Sequence, residues 1–271
     1  MRLSLAAALG WTLGATVLLR FSVTLLETLR PGVTSDVVSL AGCEAAVYLL
    51  ACFGVLALHA PTASTGSAFG LRPSHPAMPV FGAALGLSLL LPSESLRQLT
   101  ERFVPETEQE LAYRSALLTA QSTPRAVLLI ISVACVVPLV EELFFRGALF
   151  GGLRRATSAS VAALASTLFF VIAHLNPKLW PQLLVVAVVL GYLRAATGSL
   201  FACIALHVAF NGATVAAHLS GVVSVTRPLV LPWPAQVGGW AITALLLFLV
   251  QYLARKSPEA EAARAEDIDE P

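Results

Sequence analysis

Residues 126–153 read AVLLIISVACVVPLVEELFFRGALFGGL. A bilayer-spanning helix takes about 20 apolar residues, so this run reads as a span. Yet Glu141, Glu142 and Arg146 stand inside it. Ionisable groups at membrane depth cost roughly 2.5–3.5 kcal/mol each on insertion scales, so three in one span mark a functional segment. Glu142 and Arg146 are four apart and meet on one helix face, where they can pair. Glu141 points about 100° away and finds no partner in its own helix, which makes it the candidate general base. Pro138, three residues earlier, removes a backbone donor and can kink the helix or open it to water.

Outward from this run the same texture continues. Further spans read at about 4–26, 37–59, 78–92, 158–175, 179–197, 199–219 and 235–254. The chain of 271 residues is 57% hydrophobic and 12% charged, with mean hydropathy +0.79, against about 45–50% and 25% in soluble domains. These values exclude a disordered chain. In lipid the backbone must satisfy its own hydrogen bonds, and no barrel-type alternation appears. The expected fold is therefore all-α, a polytopic membrane bundle of about eight transmembrane helices. Cys43, Cys52, Cys135 and Cys203 all lie in apolar runs without a CxxC pair, against a disulfide framework or a cysteine zinc site. Net charge +1 gives no basic surface for nucleic acid.

Residues 1–254 read as a single transmembrane domain, its functional core at about 125–215. The tail 255–271 reads as disordered and acidic. The first run, with Arg2 and Ala6–Ala8, resembles a signal peptide but reads as a retained helix, because hydrophobicity continues past Trp11. The charged stretch 93–124 reads as an interfacial helix with Leu96, Leu99, Phe103 and Val104 towards lipid, or as a solvated loop. The distribution of Lys and Arg in short loops places both termini in the cytoplasm.

Two more polar clusters interrupt apolar spans. Phe170–His174 reads FVIAH, and His207–Asn211 reads HVAFN. His174 can donate, accept or bind a metal. His207 and Asn211 share a face and can both donate towards one point, as an oxyanion requires. With Glu141, these residues fit metal-free amide hydrolysis: Glu141 and His174 hold and deprotonate a water, while His207 and Asn211 stabilise the oxyanion. Two histidines and a carboxylate are also a zinc set, although HExxH is absent, as are GxSxG and a P-loop. Arg20 and Glu44 read as a structural pair or as snorkelling groups, and His59 and His75 as solvated. Linear depth is in tension with a shared site. At about 1.5 Å per residue, His207 lies about 12 Å from the inner end of its span, His174 near the outer end of its own, and Glu141 near mid-span.

EELFFR, FVIAH and HVAFN match, in order, the EExxxR, FxxxH and HxxxN/D motifs of the CAAX-protease and bacteriocin-processing family, also called Abi. That family includes the type II CAAX prenyl endopeptidases. The resemblance covers about residues 125–215. It implies an all-helical intramembrane protease with Glu141 as base, Glu142 and Arg146 supporting, and His174, His207 and Asn211 completing the site. Family members have been described as metalloproteases and as glutamate proteases without metal. The metal-free reading is preferred here, with no cofactor, because the donors suffice without an ion. The implied partner is a membrane-bound or lipidated protein, cleaved in its C-terminal region. Bacterial members include immunity and processing proteins, and sorting proteases such as the myxosortases. Fifteen Arg against two Lys suggest a GC-rich bacterial source, and hence the inner membrane. The competing readings are a non-enzymatic immunity or shielding protein and a proton-coupled transporter. The transporter reading is disfavoured by the lack of repeat-related discontinuous helices.

Overall fold

The computed structural model describes residues 2–62, 64–72, 74–224 and 230–255. Among them no strand occurs. The principal helices are α1 (Leu5–Leu29), α2 (Val37–His59), α3 (Met78–Phe103), α4 (Glu108–Leu118), α5 (Thr123–Arg154), α6 (Ala159–Ala173), α7 (Trp180–Thr197), α8 (Leu200–Leu219) and α9 (Trp233–Arg255). Seven of the described helices are long and apolar enough to cross a bilayer; α6 is apolar but shorter, and α4 is polar. The expected spans fall on α1–α3 and α5–α9. The acidic tail expected at 255–271 lies outside the described residues beyond Arg255.

Beyond the expected end of the third span at 92 the chain stays helical to Phe103, in keeping with the interfacial-helix reading, and Leu99, Phe103 and Val104 are exposed. A charge pair lies within this stretch. Arg97 donates to both oxygens of Glu94, at 2.8 and 2.6 Å, one turn along the same helix. Helix α4 follows, opened by a reciprocal capping box between Thr107 and Glu110.

Loop residues start the helices as their chemistry dictates. Ser4 caps α1, Asp36 caps α2, Ser122 caps α5, Ser158 caps α6 and Ser199 caps α8, each side chain accepting a first-turn N–H. Asp36 also pairs with Arg125, so the starts of α2 and α5 are tied together and the two helices run parallel.

The outer faces are apolar. Val17, Phe21, Leu29, Phe53, Leu58, Val80, Leu245 and Phe248 are exposed. Such a surface is suited to lipid rather than water. The protein is an integral membrane protein. Inside, one core gathers Phe144, Phe145, Phe170, Tyr48 and Leu149 among α1, α2, α5 and α6. A second gathers Leu85, Leu89, Leu190 and Leu206 among α3, α7, α8 and α9. Helix α8 packs against both halves, lying on α3 on one side and on α5 on the other. The α3 contact is backbone to backbone. A Cβ at Gly82 would collide with the carbonyl of Ala202, and one at Gly86 with the carbonyl of Leu206. This small-xxx-small stripe seats α8 immediately beside His207.

Candidate active site

Helix α5 is not a regular α-helix. π-helical turns at Ile131–Val136 and Leu143–Leu149 flank a short α-helical piece, Val137–Glu142, which carries both glutamates. Such turns are rare and cluster at functional sites. The first has a visible cause. Val137 N–H bonds five residues back to Ser132. In that register the Val133 carbonyl would look to residue 138, which is proline and has no N–H. The Asn211 amide donates to that carbonyl instead, at 3.0 Å. Asn211 thus holds the π-helical segment with one amide proton and retains a second.

One turn along α8, His207 faces both glutamates. Its Nδ1 lies 2.9 Å from Glu142 Oε1, and its Nε2 lies 3.7 Å from Glu141 Oε2. Arg146 donates to the same Glu142 oxygen at 3.0 Å and to the Ala187 carbonyl at 3.3 Å, with its guanidinium 4.5 Å over the Phe170 ring. Glu142 and Arg146 are fully buried, so Glu142 joins the arginine to the histidine. The expected Glu142–Arg146 pair therefore exists and has a further partner that helix spacing alone does not reveal.

His174 closes the site from α6. The helix tightens in its last turn, where His174 N–H bonds to Val171, three residues back. That leaves the Phe170 carbonyl to the His174 ring, whose Nδ1 lies 2.8 Å away. Donation there leaves Nε2 as the acceptor nitrogen, 3.7 Å from Glu141 Oε1. Leu175 then takes a left-handed conformation, φ 50°, rare for a residue with a side chain, and turns the chain towards α7.

Each oxygen of the buried Glu141 carboxyl therefore faces a histidine on a different helix. Both separations exceed a direct hydrogen bond, and a water between the groups can reach both sides. Among the described residues no three His, Cys, Asp or Glu side chains are arranged to hold a metal ion.

The depth tension resolves by counting from the end of the bundle that carries Leu5, His59, Arg154 and Ala159. His174 lies 15 residues from Ala159 and Glu141 lies 13 from Arg154. Helix α8 starts deeper than its neighbours. Arg194, at the end of α7, donates to the carbonyls of Arg146, Gly198 and Phe69, so the α7–α8 turn sits level with Arg146, eight residues inside the end of α5. His207, seven residues into α8, thereby reaches the level of Glu141. Neither a re-entrant stretch nor unusual tilt is needed.

Two residues make contacts that spacing alone did not show. Glu44 on α2 acts with Arg20 and also stands within hydrogen-bonding reach of the Glu141 carboxyl. Arg20 Nη2 reaches the His174 carbonyl at 3.5 Å. His59, read as solvated, accepts from Trp11 Nε1 at 3.1 Å. Outside the spans, α4 is tied to the loop after His174. Lys178 Nζ lies 2.7 Å from Glu110, and this hydrogen bond, reinforced by Thr107, holds the Glu110 carboxyl down at about 2.

Residues 123–213 match the family model described as type II CAAX prenyl endopeptidase Rce1-like. The matched segment holds all six of the site residues named from the three motifs, and the match supports intramembrane endopeptidase activity. No curated protein and no solved structure matches the chain.

Proposed function

We propose that the protein is a glutamate-type intramembrane endopeptidase, working without a metal, that cleaves a membrane-associated or lipidated protein in its C-terminal region. The observation that carries this reading is the Glu141 carboxyl, buried and flanked by His174 and His207 at 3.7 Å each. Glu141 and the acceptor nitrogen of His174 orient a water. Its oxygen attacks the scissile carbonyl carbon while its proton passes to Glu141. His207 acts as the imidazolium: it donates Nδ1–H to Glu142 and presents Nε2–H to the developing oxyanion, and the free amide proton of Asn211 is the second candidate donor. The C–N bond breaks as Glu141 returns the proton to the leaving nitrogen, which yields a carboxylic acid and an amine.

The depth of the site supports a substrate held in the membrane. Glu141 lies 13 residues from Arg154 at one end of the bundle and His207 lies 12 from Leu219 at the other, about 18–20 Å each, so the peptide bond must enter the bilayer core rather than wait at its surface. A C-terminal hydrophobic anchor or an attached lipid would bring it there. Removal of a C-terminal sorting signal at a bacterial inner membrane, with both termini of the protease cytoplasmic, is the physiological setting we infer.

The test compares the C-terminal ends of envelope proteins in matched strains, one with the wild-type protein and one with Glu141→Gln at equal abundance. Loss of the base should slow cleavage by about 10²–10⁴-fold while the protein still folds. A set of proteins should then retain uncleaved hydrophobic tails only in the variant strain. If no terminus differs and the wild-type phenotype persists, the carboxylate is not catalytic and a partner-shielding role takes its place.

A further inference from the structure

Glu44 lies outside the three motifs, yet the packing of α2 on α5 directs it at the centre of the site. Four residues along the same face of α2, Tyr48 is buried and stacks on Phe144 with centroids 5.2 Å apart, and meets Phe145 edge-on at 5.6 Å. The two helices run parallel from the Asp36–Arg125 contact. The register that sets Tyr48 against Phe145 therefore sets Glu44 against Glu141, one turn earlier in each helix. The two carboxyls stand within hydrogen-bonding reach there.

A hydrogen bond between two carboxyl groups needs an O–H, because an ionised carboxylate only accepts. A hydrogen bond between them therefore requires at least one proton on the pair, and its titration belongs to the pair. The groups that face it are few and can be named: Arg20 from α1, Tyr48 from α2, Glu142 and Arg146 from α5, His174 from α6 and His207 from α8. Arg20 connects both sides, since it acts on Glu44 and also touches the His174 carbonyl.

We propose that Glu44 is a positioning residue for Glu141: the two carboxyls share a single proton, and the singly protonated pair is the reactive form. This rests on the protease reading above, in which Glu141 is the base. With the shared proton on Glu44, its O–H donates to Glu141, which is ionised, fixed in orientation and able to face the water. The water's proton goes to Glu141 and then to the leaving nitrogen. The proton of Glu44 stays in place throughout, so the pair begins and ends the cycle with one proton. Loss of that proton at high pH removes the donor and sets two carboxylates against each other. A second proton at low pH abolishes the base.

Two measurements test this on the full-length protein in lipid nanodiscs. The first is infrared spectroscopy at neutral pH in H2O and D2O, which needs no substrate. The wild type should show a deuterium-sensitive carboxylic acid band that is displaced or lost in both Glu44→Gln and Glu141→Gln, because it belongs to the pair. A band altered by only one substitution, or by neither, overturns the shared proton. The second is the pH profile of kcat on an envelope protein identified through the Glu141→Gln comparison. Glutamine at position 44 keeps a permanent donor. Glu44→Gln should hold kcat within about tenfold near neutrality, lose the alkaline limb and leave KM unchanged, whereas Glu44→Ala should lose about a hundredfold. An unaltered alkaline limb in a folded Glu44→Gln protein overturns the proposal even if Glu44→Ala does not fold. If the infrared pair is present but the wild type cleaves nothing, the positioning role falls with the protease reading and only the proton pair stands.

Discussion

Arg146–Glu142 and Lys178–Glu110 are ion pairs of the same kind, placed in opposite surroundings. The first is closed at 3.0 Å between side chains with no solvent exposure. The second is shorter, at 2.7 Å, but its side chains are 24% and 42% exposed. The longer contact is the more consequential, because the medium rather than the distance sets what each partner loses when the other is removed. At the exposed pair water replaces a missing partner. At the buried pair nothing does, and the Glu142 oxygen that Arg146 touches also holds His207. One charge pair thus orients the histidine at the site, whereas the other ties a peripheral helix to a loop.

The largest effect should come from removing half of the buried pair. Arg146→Met leaves Glu142 as a buried charge without its cation, and breaking such pairs costs about 3–5 kcal/mol. Thermal unfolding in detergent should show it, together with lost cleavage through a misplaced His207. The double variant Arg146→Met, Glu142→Gln should recover much of the stability but not the activity, since no carboxylate then holds His207. Equal destabilisation of single and double variants would mean that packing rather than charge dominates here.

The next effect sharpens the contrast without touching a charge. At Gly86 a side chain would drive into the carbonyl of Leu206, the residue before His207. Overpacking of this type costs about 1–3 kcal/mol. Gly86→Val should lower stability by that amount and reduce cleavage further than stability alone explains. Gly66, in the short helix Thr65–Phe69, has open space around its Cβ, so Gly66→Ala should leave cleavage unchanged.

The sequence made the buried half easier to read than its connections. Apolar runs set the helices because lipid leaves the backbone no other donors, and the three polar clusters stood out because charge is costly there. The partnership of Glu44 with Glu141 was hidden, since it depends on the register of α2 against α5. Arg20 was equally plausible as its sole partner when only spacing was known. The level of His207 was hidden too, because it depends on Arg194 seating the α7–α8 turn at Arg146. The π-helical turns left a trace in Pro138, but which carbonyl would be orphaned, and that Asn211 would meet it, required the fold. At the periphery, residues 93–124 read as an interfacial helix or as a solvated loop, because spacing alone did not show the Glu94–Arg97 hydrogen bonds or the Thr107–Glu110 capping box that favour the helix.

The smallest expected effect lies at the exposed pair, and pH can isolate it. The Lys178 hydrogen bond and the Thr107 donors bring the Glu110 carboxyl down to about 2 from its ordinary 4.5. A carboxyl depressed on folding stabilises fully above its ordinary value, and that contribution is lost as pH falls through the folded value. Amide exchange in Glu108–Leu118, corrected for intrinsic pH dependence, should therefore be faster in Lys178→Met than in the wild type at pH 6. The difference should persist at about pH 3.5, where an unperturbed glutamate is already mostly protonated, and vanish near pH 2. High salt should shrink it, since exposed charges are screened, while leaving the Arg146→Met defect intact. A difference already gone by about pH 4.5 would show that Lys178 adds nothing to the capping box.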